Sequence, residues 1–219
     1  MPELKAIVFD LDNTLIDRNQ AFRLFLEDFL ARHQKNISKK DWKNIEKQDQ
    51  QGYAQRLIFT KWFLNYYKLK DLSPEAFWQY MQQHLGNFVE CVSSVKECLR
   101  VLNENYKLCL LTNGGSQNQR AKIHSAGLDN FFEKDKIFIS GEMGFAKPST
   151  EAFERVLAKT KTNPVETLMV GDHFINDILP ARKLGMKTCW ITSKPESGIQ
   201  HTDYCLPHVG RLAEILKKK

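Results

Sequence analysis

The sequence predicts an α/β protein built on a doubly wound parallel sheet, with an α-helical subdomain inserted near its amino terminus. Two observations lead to this fold class. Short apolar runs recur along most of the chain and alternate with helical patterns, as in a parallel sheet that is covered by helices. Between about residues 17 and 93 no strand-like run occurs, and amphipathic helical patterns follow one another instead.

The predicted strands are short apolar runs of the kind that is buried on both faces of a sheet. The first runs from Lys5 to Asp10 and ends in an acid. The other four run from Lys107 to Thr112, Ile137 to Ser140, Thr167 to Val170 and Lys187 to Ile191.

Capping signals mark the predicted helix starts, at Asp17, Ser38, Ser73, Ser94 and Ser116. Ser94 and Ser116 are each followed three residues later by Glu or Gln, which is the capping-box pattern. A proline after Ser73 occupies the first helical position, where its missing N–H costs nothing.

Two domains follow from this organisation. We expect residues 1–16 and 94–219 to form an α/β core, and residues 17–93 to form a small helical domain. The insertion holds more than half of the chain's aromatic residues, so it must bury them among its own helices or against the sheet.

Composition excludes several classes of protein. The net charge is +6, but no basic stripe is interleaved with aromatics, so we expect no nucleic-acid partner. No apolar run approaches the roughly 20 residues that span a bilayer, and no leader pattern begins the chain, so we expect no membrane association and a cytoplasmic protein. Five cysteines without a C-x-x-C pair indicate neither a disulfide framework nor a zinc site.

Acidic side chains follow two of the predicted strands. Asp10 and Asp12 come at the end of the first strand, and Asp172 comes directly after the strand that ends at Val170. Each acid could instead form a turn or cap a helix, and for Asp177 that structural role is as good an explanation as any other. If the strands are neighbours, the acids form an oxygen-rich pocket of the kind that holds Mg²⁺.

Two further motifs end in possible phosphate-binding groups. Thr112, Asn113 and Gly114 end a third strand with a hydroxyl group and a glycine-containing turn, whose amides could face an anion. Lys147 precedes a proline at the start of a helix. Taken singly, the first motif is an ordinary turn and the lysine an ordinary surface residue.

In order and setting, these four motifs resemble those of the haloacid dehalogenase (HAD) superfamily. They are D-x-D-x-T from Asp10, Thr-Asn-Gly from Thr112, Lys147-Pro, and the two acids Asp172 and Asp177 after a strand. The resemblance extends from Lys5 to about Ile191 and implies a Rossmann-like HAD core. The helical insertion resembles the cap of that family, and the region around Lys147 is similar to its nucleotidase and sugar-phosphate phosphatase branch.

The resemblance implies a role for each matching residue. Asp10 would be the nucleophile and Asp12 the general acid and base. Asp10, the main-chain carbonyl of Asp12 and Asp172 would hold Mg²⁺. The transferring phosphoryl group would be bound by Thr112, by the amide of Asn113 and by Lys147, which would also stabilise charge in the transition state.

The expected activity is therefore Mg²⁺-dependent hydrolysis of a small-molecule phosphate ester, a nucleoside monophosphate or a sugar phosphate, through an aspartyl-phosphate. The acid at Asp12 argues against dehalogenase chemistry, because the haloalkanoate dehalogenases lack it. Two alternatives stay open: a phosphomutase of the same superfamily, and a non-catalytic phosphate- or nucleotide-binding regulator. We expect a monomer or a homodimer.

The insertion would recognise the rest of the substrate. Arg18, Arg23, Arg56 and Lys61 could reach an anionic group, and aromatic residues such as Trp42 could stack on a base or sugar. Core packing or solvated helix faces explain each of these side chains better.

Overall fold

The computed structural model describes residues 3–193 and 202–216, which form a parallel sheet flanked by helices and a separate helical unit. The strands are β1 (Ala6–Phe9), β2 (Lys107–Thr112), β3 (Ile137–Ile139), β4 (Thr167–Gly171), β5 (Lys187–Ile191) and β6 (Tyr204–Leu206). The first five fall on the predicted runs, which confirms the α/β fold class. β6 was not predicted, because Tyr204 and Cys205 are only half-buried and it lacks the continuous aliphatic and aromatic run of β3.

The strand order is β3-β2-β1-β4-β5-β6, and every neighbouring pair is parallel. β2 and β3 are therefore added in turn on one side of β1, and β4, β5 and β6 are added in turn on its other side. In such sheets, ligands bind beyond the carboxyl ends of the strands at the point where the order reverses. That point lies between β1 and β4, whose Phe9 and Val170 are in register.

The structure describes ten α-helices, joined by short 3₁₀ turns and one π-helix. The α-helices are α1 (Arg18–Arg32), α2 (Lys39–Asp49), α3 (Arg56–Tyr67), α4 (Pro74–His84), α5 (Ser93–Asn103), α6 (Ser116–Ser125), α7 (Ser140–Met143), α8 (Thr150–Thr160), α9 (Leu179–Lys183) and α10 (Leu212–Leu216). The 3₁₀ turns are Gln50–Gly52, Leu85–Phe88, Lys134–Lys136, Pro164–Glu166 and Val209–Arg211. The π-helix is Phe174–Ile178 and leads directly into α9.

Two of the predicted helix starts in the insertion are confirmed. Ser38 forms a capping box: its side chain accepts from the Asp41 N–H at 3.2 Å, and its own N–H donates to the Asp41 carboxylate at 2.8 Å. Ser73 accepts from the Ala76 N–H at 3.1 Å, with Pro74 at the first helical position. Each cap satisfies N–H groups that have no partner within the helix.

The two capping boxes predicted in the core are wrong. α5 begins at Ser93 with Val92 in the cap position, so Ser94 lies inside the first turn. α6 begins at Ser116 with Gly115 in the cap position. Neither helix has a side-chain cap, and the side chain of Gln119, expected to close the second box, bonds elsewhere.

The chain divides into two compact units, Met1–Asp17 with Glu90–Lys219 and Arg18–Val89. The first is built on the sheet, and its core includes the fully buried Val8, Cys109 and Met169 of the three central strands. The second is held by aromatic packing among its own helices. The Phe77 ring lies 4.5 Å from that of Phe29 and 5.1 Å from that of Phe63, between centroids.

All five cysteines are free thiols, and Cys109 and Cys189 are fully buried. Burial raises the pKa of the Cys109 thiol to about 12, so it stays protonated and behaves as a small apolar side chain. Within the described residues, no helix is both long and apolar enough to cross a bilayer.

Candidate active site

Three adjacent strands deliver side chains to one edge of the sheet. β1 lies between β2 and β4, so Asp10, Thr112 and Asp172 are close because parallel strands end at the same edge. The hydrogen bond from the Asp10 N–H to the Val170 carbonyl, 2.9 Å long, continues the pairing of β1 with β4 up to the first acid. Lys147 reaches this edge from the loop between α7 and α8.

An acidic cluster lies at this edge. Asp10, Asp172 and Asp177 each offer a carboxylate oxygen, and these oxygens lie within 4.8 Å of one another. Burial, opposed by Lys147, raises the pKa of Asp10 to about 7, and burial together with the charge of Asp10 raises the pKa of Asp172 to about 8. Buried carboxylates that repel one another in this way fit a hard divalent cation such as Mg²⁺, which takes oxygen ligands.

Lys147 bonds two of these acids. Its Nζ donates to Asp10 Oδ1 at 2.6 Å and to Asp177 Oδ1 at 2.7 Å, and only 5% of Lys147 is exposed. Burial disfavours the ammonium group, but Asp10 and Asp177 outweigh it and raise the pKa of Lys147 above its usual value. A fixed positive charge therefore lies beside Asp10, so this lysine is not a solvated surface residue.

Asp177 is held by a close approach to the backbone. Its Oδ2 accepts from the His173 N–H at 3.0 Å, and a Cβ added to Gly171 would lie 2.3 Å from that same oxygen. Only glycine therefore fits at position 171. The π-helix Phe174–Ile178 carries Asp177, and the His173 ring accepts from the Asn176 N–H at its start. Asp177 is thus part of the acidic cluster and also bonds the N–H of His173, the cap residue of the π-helix.

The Asp12 carboxylate lies outside the acidic cluster and bonds side chains of α6. Lys122 Nζ donates to both of its oxygens, at 2.7 and 2.9 Å, and Gln119 Nε2 donates to Oδ2 at 3.0 Å. Any contribution of Asp12 to a cation would therefore come from its main-chain oxygen, which is also what the sequence resemblance implies. The Asp12 carboxyl group itself bonds Lys122 and Gln119 and not the other three acids.

Thr112 and Asn113 are connected to different parts of the site. The Thr112 hydroxyl accepts from Gln119 Nε2 at 2.6 Å. The Asn113 side chain bonds the main chain of Lys147 twice, once as donor at 2.8 Å and once as acceptor at 2.9 Å. Sequence reasoning considered only the main-chain amide of Asn113 and missed this role of its side chain.

The site roles of two residues were not found from the sequence: Gln119 and Lys122, which lie three residues apart on one helical face. Asp177 was recognised as the second acid of the fourth motif, but a structural role explained it equally well. The available signal for Gln119 and Lys122 was two polar residues on the face of α6 that also buries Ile123. That spacing carries little information by itself, because solvated helix faces produce it as well.

A cleft of about 830 Å³ lies at the other edge of the sheet. It is lined by residues around the amino ends of β1 and β2, among them Lys5, Asn105 and Lys107. The acidic cluster and Lys147 do not contribute to its lining. We therefore place the candidate site at the carboxyl edge, where the charged groups converge.

Solved structures with the same fold cover nearly the whole chain. HAD-hydrolase YfnB of Bacillus subtilis, described as bound to magnesium, superposes with a TM-score of 0.81 at 22% identity over 99% of this chain and all of that one. A beta-phosphoglucomutase-like protein of Thermotoga maritima also has a TM-score of 0.81, at 16% identity over 98% of this chain and 99% of that one. At these identities the likeness concerns the fold.

Relatives with named activities are similar in sequence. Glyceraldehyde 3-phosphate phosphatase of Pyrococcus furiosus is 27% identical over all of this chain and 95% of its own length. N-acylneuraminate-9-phosphatase of Rattus norvegicus is 26% identical over 95% of this chain and 90% of its own. Pyrimidine 5'-nucleotidase YjjG of Escherichia coli is 36% identical over 43% of this chain and 42% of its own.

The four motifs lie within the part of the chain that matches a known family. Residues 7–191, from β1 to the end of β5, match the haloacid dehalogenase-like hydrolases. This match covers most of the chain and includes both motifs of the acidic cluster. The chain is therefore a member of the haloacid dehalogenase-like hydrolase family.

Proposed function

We propose that the protein is a Mg²⁺-dependent phosphatase that hydrolyses a small phosphorylated metabolite, a nucleoside monophosphate or a sugar phosphate, through an aspartyl-phosphate on Asp10. The observation that carries the proposal is the cluster of the buried Asp10 and Asp177 with the half-buried Asp172, to which the Lys147 ammonium group is bonded. The named phosphatase activities of the relatives support the substrate class.

The cation would be held by Asp10, by Asp172 and by the main-chain oxygen of Asp12. Asp177 offers a further carboxylate oxygen within 4.8 Å of those of Asp10 and Asp172. Bound there, Mg²⁺ supplies positive charge that reduces the repulsion between an anionic nucleophile and an anionic substrate. The raised pKa values of Asp10 and Asp172 support this assignment, because even beside Lys147 both acids need a further positive charge to be fully ionised at neutral pH.

The chain's own residues would carry two successive displacements. In the first, an Asp10 oxygen forms a bond to phosphorus, the bond to the leaving oxygen breaks, and that oxygen takes a proton from the Asp12 carboxyl group. In the second, water attacks phosphorus and gives a proton to Asp12, while the bond between phosphorus and Asp10 breaks. Free phosphate leaves, and both acids return to their starting states.

Lys147, Thr112 and the Asn113 amide would bind the phosphoryl oxygens. Lys147 is already fixed next to Asp10, at 2.6 Å, so its charge needs little reorganisation as negative charge develops on phosphorus. With substrate bound, the Lys147 ammonium group would interact with the phosphoryl oxygens as well as with Asp10 and Asp177. Preorganised charge of this kind is where we expect most of the rate enhancement to arise.

Residues 17–93 are proposed to be the cap that recognises the rest of the substrate, and residues 1–16 with 94–219 the part that performs the chemistry. A phosphomutase would use the same first displacement but transfer the phosphoryl group to a second hydroxyl. Its product would keep the phosphate, so release of inorganic phosphate distinguishes the two activities. A non-catalytic regulator would bind phosphate esters without releasing any.

The decisive experiment measures phosphate release from nucleoside monophosphates, sugar phosphates and 4-nitrophenyl phosphate in Mg²⁺. Asp10→Asn keeps the shape of the nucleophile but removes its charge, and should abolish turnover. Asp135→Asn, at an exposed surface ion pair with Lys159, is the matched control and should behave as wild type. Wild-type rates in the Asp10 variant, or no turnover of any ester by the wild type, would contradict the proposal.

A further inference from the structure

Two buried polar residues of α6 have no part in the proposed function as stated so far. Gln119 is 1% exposed and Lys122 is 3% exposed. Both direct their side chains to the Asp12 carboxylate, with three donor-acceptor distances between 2.7 and 3.0 Å. Gln119 also bonds the Thr112 hydroxyl at 2.6 Å.

Burial of these two polar side chains carries a desolvation cost, so their positions call for an explanation. Lysine is almost never fully buried without a partner, and an apolar residue at position 122 would avoid desolvation of the ammonium group. Buried ion pairs often add no net stability over apolar replacements. A gain in stability therefore explains the buried Lys122 poorly. Its contacts do, however, hold the Asp12 carboxylate in one orientation.

The contacts also determine the orientation of the Gln119 amide. A carboxylate only accepts hydrogen bonds, so the Gln119 atom that faces Asp12 must be the NH₂ nitrogen. That nitrogen also faces the Thr112 oxygen, which consequently accepts. The hydroxyl hydrogen of Thr112 is then available to donate to another acceptor, such as a phosphoryl oxygen.

We propose that Lys122 and Gln119 are positioning residues that hold the Asp12 carboxyl group in the orientation needed for proton transfer, and that Gln119 couples this group to the phosphate-binding hydroxyl of Thr112. This inference rests on the proposed function. Both residues act through Asp12 and Thr112 and need not touch the substrate. Their spacing of three residues on α6 places them on the same face of the helix.

The dependence on the leaving group separates such a role from a structural one. Proton donation by Asp12 matters most when the departing oxygen is a strongly basic alkoxide, as in a sugar phosphate. A 4-nitrophenolate ion leaves without a proton. Loss of Asp12 positioning should therefore reduce kcat/KM for the alkyl ester far more than for the aryl ester, whereas general damage to the fold reduces both alike.

The experiment compares the two ester types in Mg²⁺. The probes are 4-nitrophenyl phosphate and the alkyl ester that the wild type hydrolyses fastest in the phosphate-release screen. Lys122→Met keeps the length of the side chain and removes its charge, and Gln119→Leu removes both amide contacts. We expect kcat/KM for the alkyl ester to fall at least about 10-fold more than for the aryl ester in each variant.

Arg120→Met is the matched control, because it removes a cation from the same helix. Arg120 bonds Glu142 at 2.6 and 2.7 Å, away from Asp12. Its kcat/KM ratio between the two esters should stay at the wild-type value. In an Asp12→Ala background, Lys122→Met should cause no further selective loss, because the residue through which it acts is absent.

Equal losses for both esters, or no loss, in folded Lys122 and Gln119 variants would overturn the inference and leave the phosphatase proposal intact. Melting curves establish that each variant is folded. If Lys122→Met does not fold, Gln119→Leu alone decides, since it removes no buried charge. A wild type that releases phosphate from neither ester would contradict the proposed function itself, so the two failures are distinguishable.

Discussion

The side chain of Asn113 bonds the main chain of Lys147 from both sides: its Nδ2 donates to the Lys147 carbonyl at 2.8 Å, and its Oδ1 accepts from the Lys147 N–H at 2.9 Å. The loop that carries the lysine is thereby tied to the end of β2. The position of the Lys147 ammonium group next to Asp10 depends on a residue 34 positions away in the sequence.

Removal of the two hydrogen bonds between Asn113 and Lys147 should lower activity, although every charged side chain of the site is kept. Asn113→Ala eliminates both bonds, and we expect kcat/KM to fall by about 10- to 100-fold, because small displacements of a catalytic group are costly. Steady-state kinetics in Mg²⁺ measures the effect. Asn130→Ala, at an exposed asparagine of the same unit, is the control; a wild-type rate in the Asn113 variant would show that Lys147 is held by other contacts.

Stabilisation by Mg²⁺ should be larger at pH 8.5 than at pH 6. Asp10 and Asp172 have pKa values raised from 3.8 to about 7 and about 8. A raised pKa in the folded state favours folding at low pH, and this contribution is lost as the pH rises through the folded value. The metal-free protein should therefore lose stability from about pH 4 to about pH 8, and the destabilisation is complete at pH 8.5, where a bound cation compensates.

Melting temperatures with and without Mg²⁺ at the two pH values test this expectation. Asp172→Asn removes one of the two titrating acids and should reduce the difference between the two pH values. Equal Mg²⁺-induced shifts at pH 6 and pH 8.5 in the wild type would show that these acids do not hold the cation.

Gly171→Ala should damage both stability and activity. A Cβ at this position would lie 2.3 Å from Asp177 Oδ2, so the carboxylate must move away from Lys147. We expect a loss of about 1 to 3 kcal/mol in the free energy of unfolding, the usual cost of overpacking, together with a fall in kcat/KM. Urea denaturation and steady-state kinetics provide the two measurements.

Gly185→Ala is the matched control for this substitution. Gly185 has a positive φ of 84°, but a Cβ there would meet only the Pro164 Cβ at 3.9 Å. It should lose stability through backbone strain alone and keep full activity. Full activity in the Gly171 variant would contradict a role for the position of Asp177.

Asp49→Asn should destabilise the helical unit. Asp49 bonds the buried Arg18 and the largely buried Arg56, so these two arginines, which sequence reasoning considered as possible substrate contacts, are engaged in an internal ion-pair cluster. Burial disfavours the Asp49 carboxylate, but the two arginines outweigh it and hold its pKa below the usual value. Its contribution to stability is therefore present at neutral pH and is lost in acid.

Removal of the Asp49 charge leaves buried guanidinium groups uncompensated, for which we expect a cost of about 3 to 5 kcal/mol. Tryptophan fluorescence during urea denaturation reports mainly on this unit, which contains Trp42, Trp62 and Trp78, three of the chain's four tryptophans. Asp28→Asn, which removes an exposed ion pair with Arg32, should change little. A similar effect of both substitutions would show that the cluster contributes no more than a surface pair.

The positions of the strands and of the acids at their ends could be predicted from the sequence, because buried parallel strands are continuous apolar runs and the motifs follow them directly. Ser38 and Ser73 were predicted as helix caps for an equally local reason. β6 was not predicted because two of its three residues are only half-buried, so its sequence lacks the apolar run that marks the equally short β3.

The rest of the site depends on contacts between distant residues, for which the sequence holds no signal. Gln119 matched a local capping pattern, yet the charged Asp12, 107 residues away, provides a better acceptor for its side chain. Lys122 could not be distinguished from a solvated lysine until the fold buried it. Asp177 likewise acquired its partner Lys147 only through the tertiary structure.

The π-helix between Phe174 and Ile178 sets a length requirement on the chain. Its Phe174 carbonyl accepts from the N–H of Leu179, five residues later, so the turn accommodates one residue more than an α-helical turn would. Deletion of a single residue here would tighten the coil and rotate the Asp177 side chain by about 100° away from Lys147. The acidic cluster therefore depends on the number of residues between Asp172 and Asp177 as well as on the two acids themselves.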